Sequence, residues 1–269
     1  MPELPEMEHY KRVLVPRFAG KTLTHVRVER EKSVNLPIEN FISKTVGQSI
    51  QQIRRRAKYL AFSLSNGKIL LLHLMLGGKL YFGKEADSPN HTKQIMLYAG
   101  EEALFFIGLR LGYLHLLTEE ELAAEWSNLG PEPLSDTFTV AVFMKRLKAK
   151  RGKLKALLVD QSFVAGIGNR YSDEICFEAA LHPGRTAQSL SDQEIESLFS
   201  AMRGVLLRAI DQGGYIDLPI YLGDQITGGA EEQMKVHRRA GEACIRCGYI
   251  IVEEKIASKK TSFCPNCQH

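Results

Sequence analysis

No stretch of this chain approaches about 18 consecutive uncharged apolar residues, so no membrane-spanning helix is expected. It also lacks a basic start followed by an apolar run, so no secretory signal is expected. There is no internal repeat and no low-complexity tract, which argues against a solenoid or a disordered tail. Cysteine is scarce until the end: Cys176 stands alone, and the other four of the five lie in the last 26 residues. That distribution is not a disulfide framework. It fits a reducing compartment and one metal site, and a cytoplasmic protein, associated with the nucleoid if bacterial, is expected. Excess charge of one sign is small as well, with 35 Lys and Arg against 31 Asp and Glu and a net charge of +4. Where the charges sit therefore matters more than their sum. What remains is ordinary for a globular protein: 44% hydrophobic and 25% charged residues. A length of 269 residues suggests one large domain or two ordinary ones.

Residues 4–19 read as a helix with Leu14, Val15 and Phe18 on its inner side and Gly20 as its stop. Short segments rich in β-branched or aromatic residues follow at 22–28, 49–54, 59–63, 69–74, 95–98 and 103–107, separated by turns such as Ser65-Asn66-Gly67. This is the pattern of a β-sandwich or barrel with one leading helix. Thr118-Glu119-Glu120 looks like a helix N-cap, and composition then shifts to helix formers. Pro131–Ser135 reads as a linker, and helices are expected near 138–149, 154–160, 169–180 and 191–211. The fold class expected is α+β and multidomain: a β-sandwich at 1–130, a helical domain at 131–235 and a cysteine-bearing hairpin at 236–269.

Three stretches carry chemistry. Cys244-x2-Cys247 and Cys264-x2-Cys267, sixteen residues apart, have the spacing of a tetrahedral four-cysteine zinc site. Four thiolates close the shell, so such a zinc is structural. The alternative is two disulfides in a small tail. Seven cations crowd residues 145–155 with no acid among them, a pattern suited to phosphate and also met on a solvated helix face. Val164-Ala165-Gly166-Ile167-Gly168-Asn169 then forms a tight turn between helices, letting a backbone approach a helix N-terminus. It reads as a helix–two-turn–helix DNA reader or as a plain helical hairpin. Finally, in MPELPEMEHY, removal of Met1 makes Pro2 a chain-terminal secondary amine. Such an amine attacks an electrophilic carbon and forms a cationic iminium, a strong electron sink. The bland alternative is a helix start, with Pro5 in the first turn and acids at the N-terminus.

Taken in order, PELPE at 2–6, Arg54-Arg55-Arg56-Ala57-Lys58-Tyr59-Leu60, His73-Leu74, VAGIGN at 164–169 with Tyr171 and Asp173-Glu174, and the terminal ribbon resemble the formamidopyrimidine-DNA glycosylase / endonuclease VIII family over essentially the full length. PELPE leans towards the formamidopyrimidine branch. The resemblance implies a monomeric base-excision repair enzyme, a bifunctional glycosylase/AP lyase that clamps damaged double-stranded DNA between a β-sandwich and an H2TH (helix–two-turn–helix) domain with its zinc finger, and flips the damaged nucleotide out. It implies Pro2 as the nucleophile at the sugar C1′ with β,δ-elimination, Glu3 as general acid/base, Glu6 as its support, and Lys58 on a phosphate near the reacting sugar. Asn169, Lys155 and His91 would hold the DNA backbone, and Tyr171 reads as packing.

Some positions depart from the family pattern. Lys259 stands where the zinc hairpin carries an Arg, keeping the charge and losing the bidentate fork. Among the residues that fill the hole left by a flipped base, Leu76 replaces a Met and Arg110 is retained. The Phe of the Arg-x-Phe-Gly loop is absent from Arg110-Leu111-Gly112. Gly108 stands near the place of an Asp, and Tyr215-Ile216-Asp217-Leu218-Pro219 replaces a stretch that often reads Thr-Thr. The expectation is an active lyase with altered lesion preference and poor excision of 8-oxoguanine. The alternatives are a damaged-DNA-binding relative without significant catalysis and an unrelated zinc-ribbon scaffold.

Overall fold

The computed structural model describes residues 1–269, which divide into two compact units: 1–127 with 210–231, and 128–209 with 232–269. Residues 210–231, read from sequence as the end of the helical domain, thus group with the first unit. No helix is long and apolar enough to cross a membrane.

The first unit is the expected sandwich. It begins with α1 (Leu4–Phe18) and continues through β1 (His25–Val28), α2 (Ile38–Thr45), β2 (Ile50–Arg56), β3 (Tyr59–Leu64), β4 (Ile69–His73), β5 (Lys79–Gly83), β6 (Lys93–Ala99), β7 (Glu102–Ile107), β8 (Tyr113–Leu117) and α3 (Glu119–Trp126). Two four-stranded antiparallel sheets result, ordered β1-β6-β7-β5 and β2-β3-β4-β8. Strand periodicity sends Leu60, Phe62, Leu70, Leu72 and Leu114 of one sheet and Val26, Leu80, Phe82, Leu97 and Phe106 of the other into one shared core. Met7, Tyr10, Leu14 and Phe18 of α1 join it at helical spacing. Val15 was expected on that face; it is 36% exposed, one position round the helix from the buried stripe. The outer face of β3 and β4 is not left wet, because Leu122 and Trp126 of α3 cover Ala61, Ile69 and Leu71. Thr118 is the expected N-cap of α3 and completes a capping box, its hydroxyl accepting from the Glu121 N–H while Glu121 accepts from the Thr118 N–H.

The second unit carries α4 (Val140–Lys148), α5 (Leu154–Val159), α6 (Asn169–Glu178) and α7 (Asp192–Asp211), whose last two residues belong to the first unit. A two-stranded hairpin, β9 (Val252–Ile256) and β10 (Lys259–Phe263), ends the chain. Ala257 and Ser258 at its tip both take positive φ, 49° and 63°, as a two-residue hairpin turn of matched twist demands.

Candidate functional site

In the first unit the reactive candidates lie at the start of α1. Pro2 is buried, Glu3 is 3% exposed and Glu6 is 1% exposed. Glu6 Oε2 accepts the Glu3 N–H at 2.6 Å, and Glu6 Oε1 accepts the Tyr215 N–H at 3.1 Å. One carboxylate therefore ties the N-terminal residues ahead of α1 to the loop after α7. Gly214 makes this approach feasible: at φ +68°, a Cβ there would stand 2.6 Å from Glu6 Oε1. The same loop is pinned to α1 by His9 and Thr227, 2.7 Å apart, and Arg12 of α1 holds Asp211 at the end of α7 at 3.1 Å. Glu8 takes Arg55 at 2.6 Å and Lys11 at 2.7 Å. Burial raises the Glu8 carboxyl, and those two hydrogen-bonded cations outweigh it, so the group sits below the usual carboxylate range.

The β2–β3 turn places Lys58 directly after Ala57, at φ 52°, and leaves it only 5% exposed. His73, at the end of β4, is pushed down to about 4, first by burial and then by the Lys58 charge. A neutral His73 accepts the Met75 N–H at 3.2 Å through Nδ1, fixing the turn that holds Leu76 66% exposed. The 108–112 loop packs backbone to backbone on this turn. A Cβ on Gly108 would meet the Gly77 carbonyl at 2.6 Å, and one on Gly112 would meet the His73 and Leu74 carbonyls at 2.7 Å. The Asp to Gly exchange at 108 is thus matched to the path of the neighbouring loop. Leu111, which sequence reading passed over, is 63% exposed beside exposed Arg110. Its apolar side chain immediately after the retained Arg is the signal that was available. His91 lies with Lys79, Gln94, Gly108 and Arg110 around a shallow depression.

In the second unit the VAGIGN turn is held by Gln161. Its amide donates to Val159 O at 2.9 Å and Ile167 O at 2.7 Å, and its oxygen accepts the Gly166 N–H at 2.9 Å. Asn169 begins α6 and donates through Nδ2 to the Lys260 carbonyl at 2.9 Å. Asn169, His237, Arg238, Glu253 and Lys260 line one recess. Lys259 is exposed at the hairpin tip.

Lys155 differs from expectation. It has no exposed surface and pairs with the equally buried Asp173. It also donates to Asn169 O at 2.8 Å and Ser172 Oγ at 2.7 Å. With its three protons spent beneath the turn, Lys155 positions the start of α6 and is not a surface cation for the DNA backbone. The remaining cations of 145–155 also divide: Arg146 donates to Ser162 O and Phe163 O, Lys148 pairs with Asp192, and Lys145, Lys150, Arg151 and Lys153 are exposed. The acids Asp173 and Glu174 are structural. Asp173 also takes His237 at 2.6 Å, and Glu174 receives the N–H groups of Lys235, Val236 and His237, so α6 carries the ribbon. Tyr171 is buried, as its packing reading expected.

The four cysteine sulfurs lie within 4.8 Å of one another, with Cys247 and Cys264 3.5 Å apart and Cys244 and Cys267 3.9 Å apart. Tetrahedral zinc with bonds near 2.3 Å requires about 3.8 Å between sulfurs, whereas a disulfide requires about 2.05 Å. The donor set fits one structural zinc. The Tyr249 backbone and the Asn266 side chain pull the Cys247 thiol down, while burial and the neighbouring thiols push Cys264 and Cys267 up, so loading the metal releases protons from the cluster.

Residues 1–113 match the formamidopyrimidine-DNA glycosylase N-terminal domain, 129–218 the formamidopyrimidine-DNA glycosylase H2TH domain, and 241–269 the zinc finger found in FPG and IleRS. The curated formamidopyrimidine-DNA glycosylases of Carboxydothermus hydrogenoformans and Listeria innocua are each 38% identical to this chain, with all of both chains covered. The chain belongs to the formamidopyrimidine-DNA glycosylase family. Solved structures agree. The Lactococcus lactis enzyme in complex with abasic-site DNA superposes with a TM-score of 0.91 at 30% identity, covering 99% of each chain. The wild-type Lactococcus lactis enzyme with DNA containing N7-benzyl-Fapy-dG gives 0.90 at 30% identity, covering all of both chains. Family membership explains why the PELPE start, the H2TH turn and the ribbon occur together in this order.

Proposed function

We propose that the protein is a base-excision repair enzyme, a bifunctional DNA glycosylase/AP lyase acting on double-stranded DNA that holds a ring-opened purine or an abasic site. The observation that carries this reading is the buried start of α1, where Glu6 fixes the segment bearing Pro2 and Glu3. Once Met1 is trimmed, the Pro2 lone pair attacks the sugar C1′. The base leaves with the proton that the Pro2 nitrogen gives up, the C1′–O4′ bond opens as Glu3 delivers a proton to O4′, and the nitrogen is left as the cationic iminium. The resulting iminium draws electrons from C2′ as a proton is lost there. The 3′ phosphate leaves by β-elimination, and the 5′ phosphate follows by δ-elimination.

Around this centre, Lys58 holds a phosphate beside the reacting sugar. Lys259 carries charge to phosphates from the ribbon, His91 meets the backbone from the sandwich, and Asn169 does so from the H2TH turn. Leu76, Arg110 and Leu111 occupy the space a flipped nucleotide leaves, an apolar wedge beside a cation. Zinc takes no part in the reaction; it fixes the hairpin that presents Lys259. Residues 1–130 together with the 210–231 segment serve as the catalytic domain, 131–209 with 232–235 as the DNA-binding domain and 236–269 as the finger, in a monomer working in the cytoplasm on the nucleoid. The shortened 110–112 loop and the Tyr215–Pro219 stretch favour abasic and ring-opened substrates over 8-oxoguanine.

Borohydride trapping tests this on duplexes bearing an abasic site, a formamidopyrimidine or 8-oxoguanine. A covalent adduct is expected with the first two and a much slower one with the third. Tight binding without an adduct on any damaged duplex would instead establish a damage-binding relative.

A further inference from the structure

Tyr215 opens the stretch read above as tuning substrate preference, and its hydroxyl reaches the N-terminus. Tyr215 Oη donates to the Met1 carbonyl oxygen at 2.5 Å. That carbonyl carbon is bonded to the Pro2 nitrogen, so the oxygen it carries lies about 2.2 Å from that nitrogen by peptide geometry. The phenol is held there from both ends. Its backbone N–H is on Glu6 Oε1, Glu6 Oε2 is on the Glu3 N–H, and Gly214 allows the close approach of Glu6. Removal of Met1 deletes that carbonyl and converts the Pro2 nitrogen beside it from an amide to an amine.

We propose that, after Met1 is removed, the Tyr215 hydroxyl accepts the N–H of Pro2 and turns the nitrogen lone pair towards the sugar carbon, making Tyr215 a catalytic residue of this site. The proposal rests on the lyase reading above. A neutral secondary amine has one N–H and one lone pair, and a free amine inverts between two directions. Fixing the N–H fixes the lone pair, and alignment of the attacking orbital is a large part of what a preorganised site supplies. The stretch from Tyr215 to Pro219, which departs from the family pattern, thus places a reactive-site hydroxyl where a shorter Thr side chain is often found.

The test compares wild type, Tyr215→Phe and Tyr215→Thr, each checked by mass for loss of Met1. Two quantities are measured: the single-turnover trapping rate on an abasic duplex at saturating protein, and the affinity for a tetrahydrofuran-containing duplex, which cannot form a Schiff base. Both variants are expected to trap about ten- to a hundredfold more slowly, the scale of one lost hydrogen bond to a group that becomes charged, with Tyr215→Phe keeping its tetrahydrofuran affinity within about twofold. Trapping by Tyr215→Phe at the wild-type rate overturns the proposal. So does a slow rate matched by an equal loss of tetrahydrofuran affinity, since the ring would then serve binding. Absence of any adduct with wild type removes the lyase reading itself, a result distinct from either.

Discussion

The start of α1 and the paired turns at 74–78 and 108–112 belong to the same unit and are built on opposite principles. The first is over-determined: Pro2, Glu3, Leu4 and Glu6 are buried, and one carboxylate holds two backbone N–H groups. The second is a rigid backbone with changeable tips. Gly77, Gly108 and Gly112 lock the two turns together, while Leu76, Arg110 and Leu111 project from them. On the proposed function, a substitution in the first is expected to slow the reaction on every substrate, and one at the second to change only what fills the duplex. The contrast gives a physical reason why PELPE at 2–6 keeps the family pattern while the tips keep only Arg110.

The largest expected effect lies in the support of the second unit, which shares the over-determined design. Lys155→Met leaves Asp173 buried without its ammonium partner, and unfolding measurements should show a loss of about 3–5 kcal/mol. DNA affinity should fall with it, because the start of α6 and the ribbon both hang on that pair. Full stability would break the comparison by showing that buried charge there is dispensable.

Next is the response to acid. His73 titrates near 4 in the folded chain against 6.5 as its ordinary value. Between those values the unfolded chain binds more protons, so the contribution is complete above about pH 6.5 and disappears as pH falls towards 4. It amounts to about 3 kcal/mol. Burial also depresses His9, His115 and His182, which adds in the same direction. Denaturant midpoints between pH 7.5 and 4.5 check this, and His73→Gln should flatten the slope.

The smallest effect belongs to the tips. Leu76→Ala and Leu111→Ala should each weaken binding to a tetrahydrofuran duplex by about tenfold, the value of one apolar side chain removed from contact. The trapping rate at saturation should be unchanged. An equal loss of rate would mean that the wedge and the nucleophile are not separable.

Much of this was legible in sequence, for reasons that can be named. The paired C-x2-C spacing, the Thr118 N-cap and the alternating strands are local signals, and each is realised. The 79–83 and 113–117 strands and the 38–45 helix were not anticipated. They are short, and their identity comes from pairing with β7, pairing with β4 and packing on the core. Lys155 was misread because a cation in a basic run carries no mark of burial; its partners Ser172 and Asp173 lie on the following helix. The Glu6–Tyr215 link joins residues 209 positions apart, which no local pattern encodes. Gln161 escaped notice for a different reason: a single Gln before a glycine turn is common, and only the turn's geometry shows that all its bonds face inwards.

The central claim is that Pro2 is the group that reacts. Its most direct test is peptide mapping of the borohydride-trapped adduct on an abasic duplex, run beside a form carrying one extra residue ahead of Pro2. The account predicts an adduct on Pro2 alone in the trimmed protein. In the extended form, whose Pro2 nitrogen is an amide without a reactive lone pair, trapping should fall by about a thousandfold or more. An adduct on Lys58, or undiminished trapping by the extended form, would contradict it.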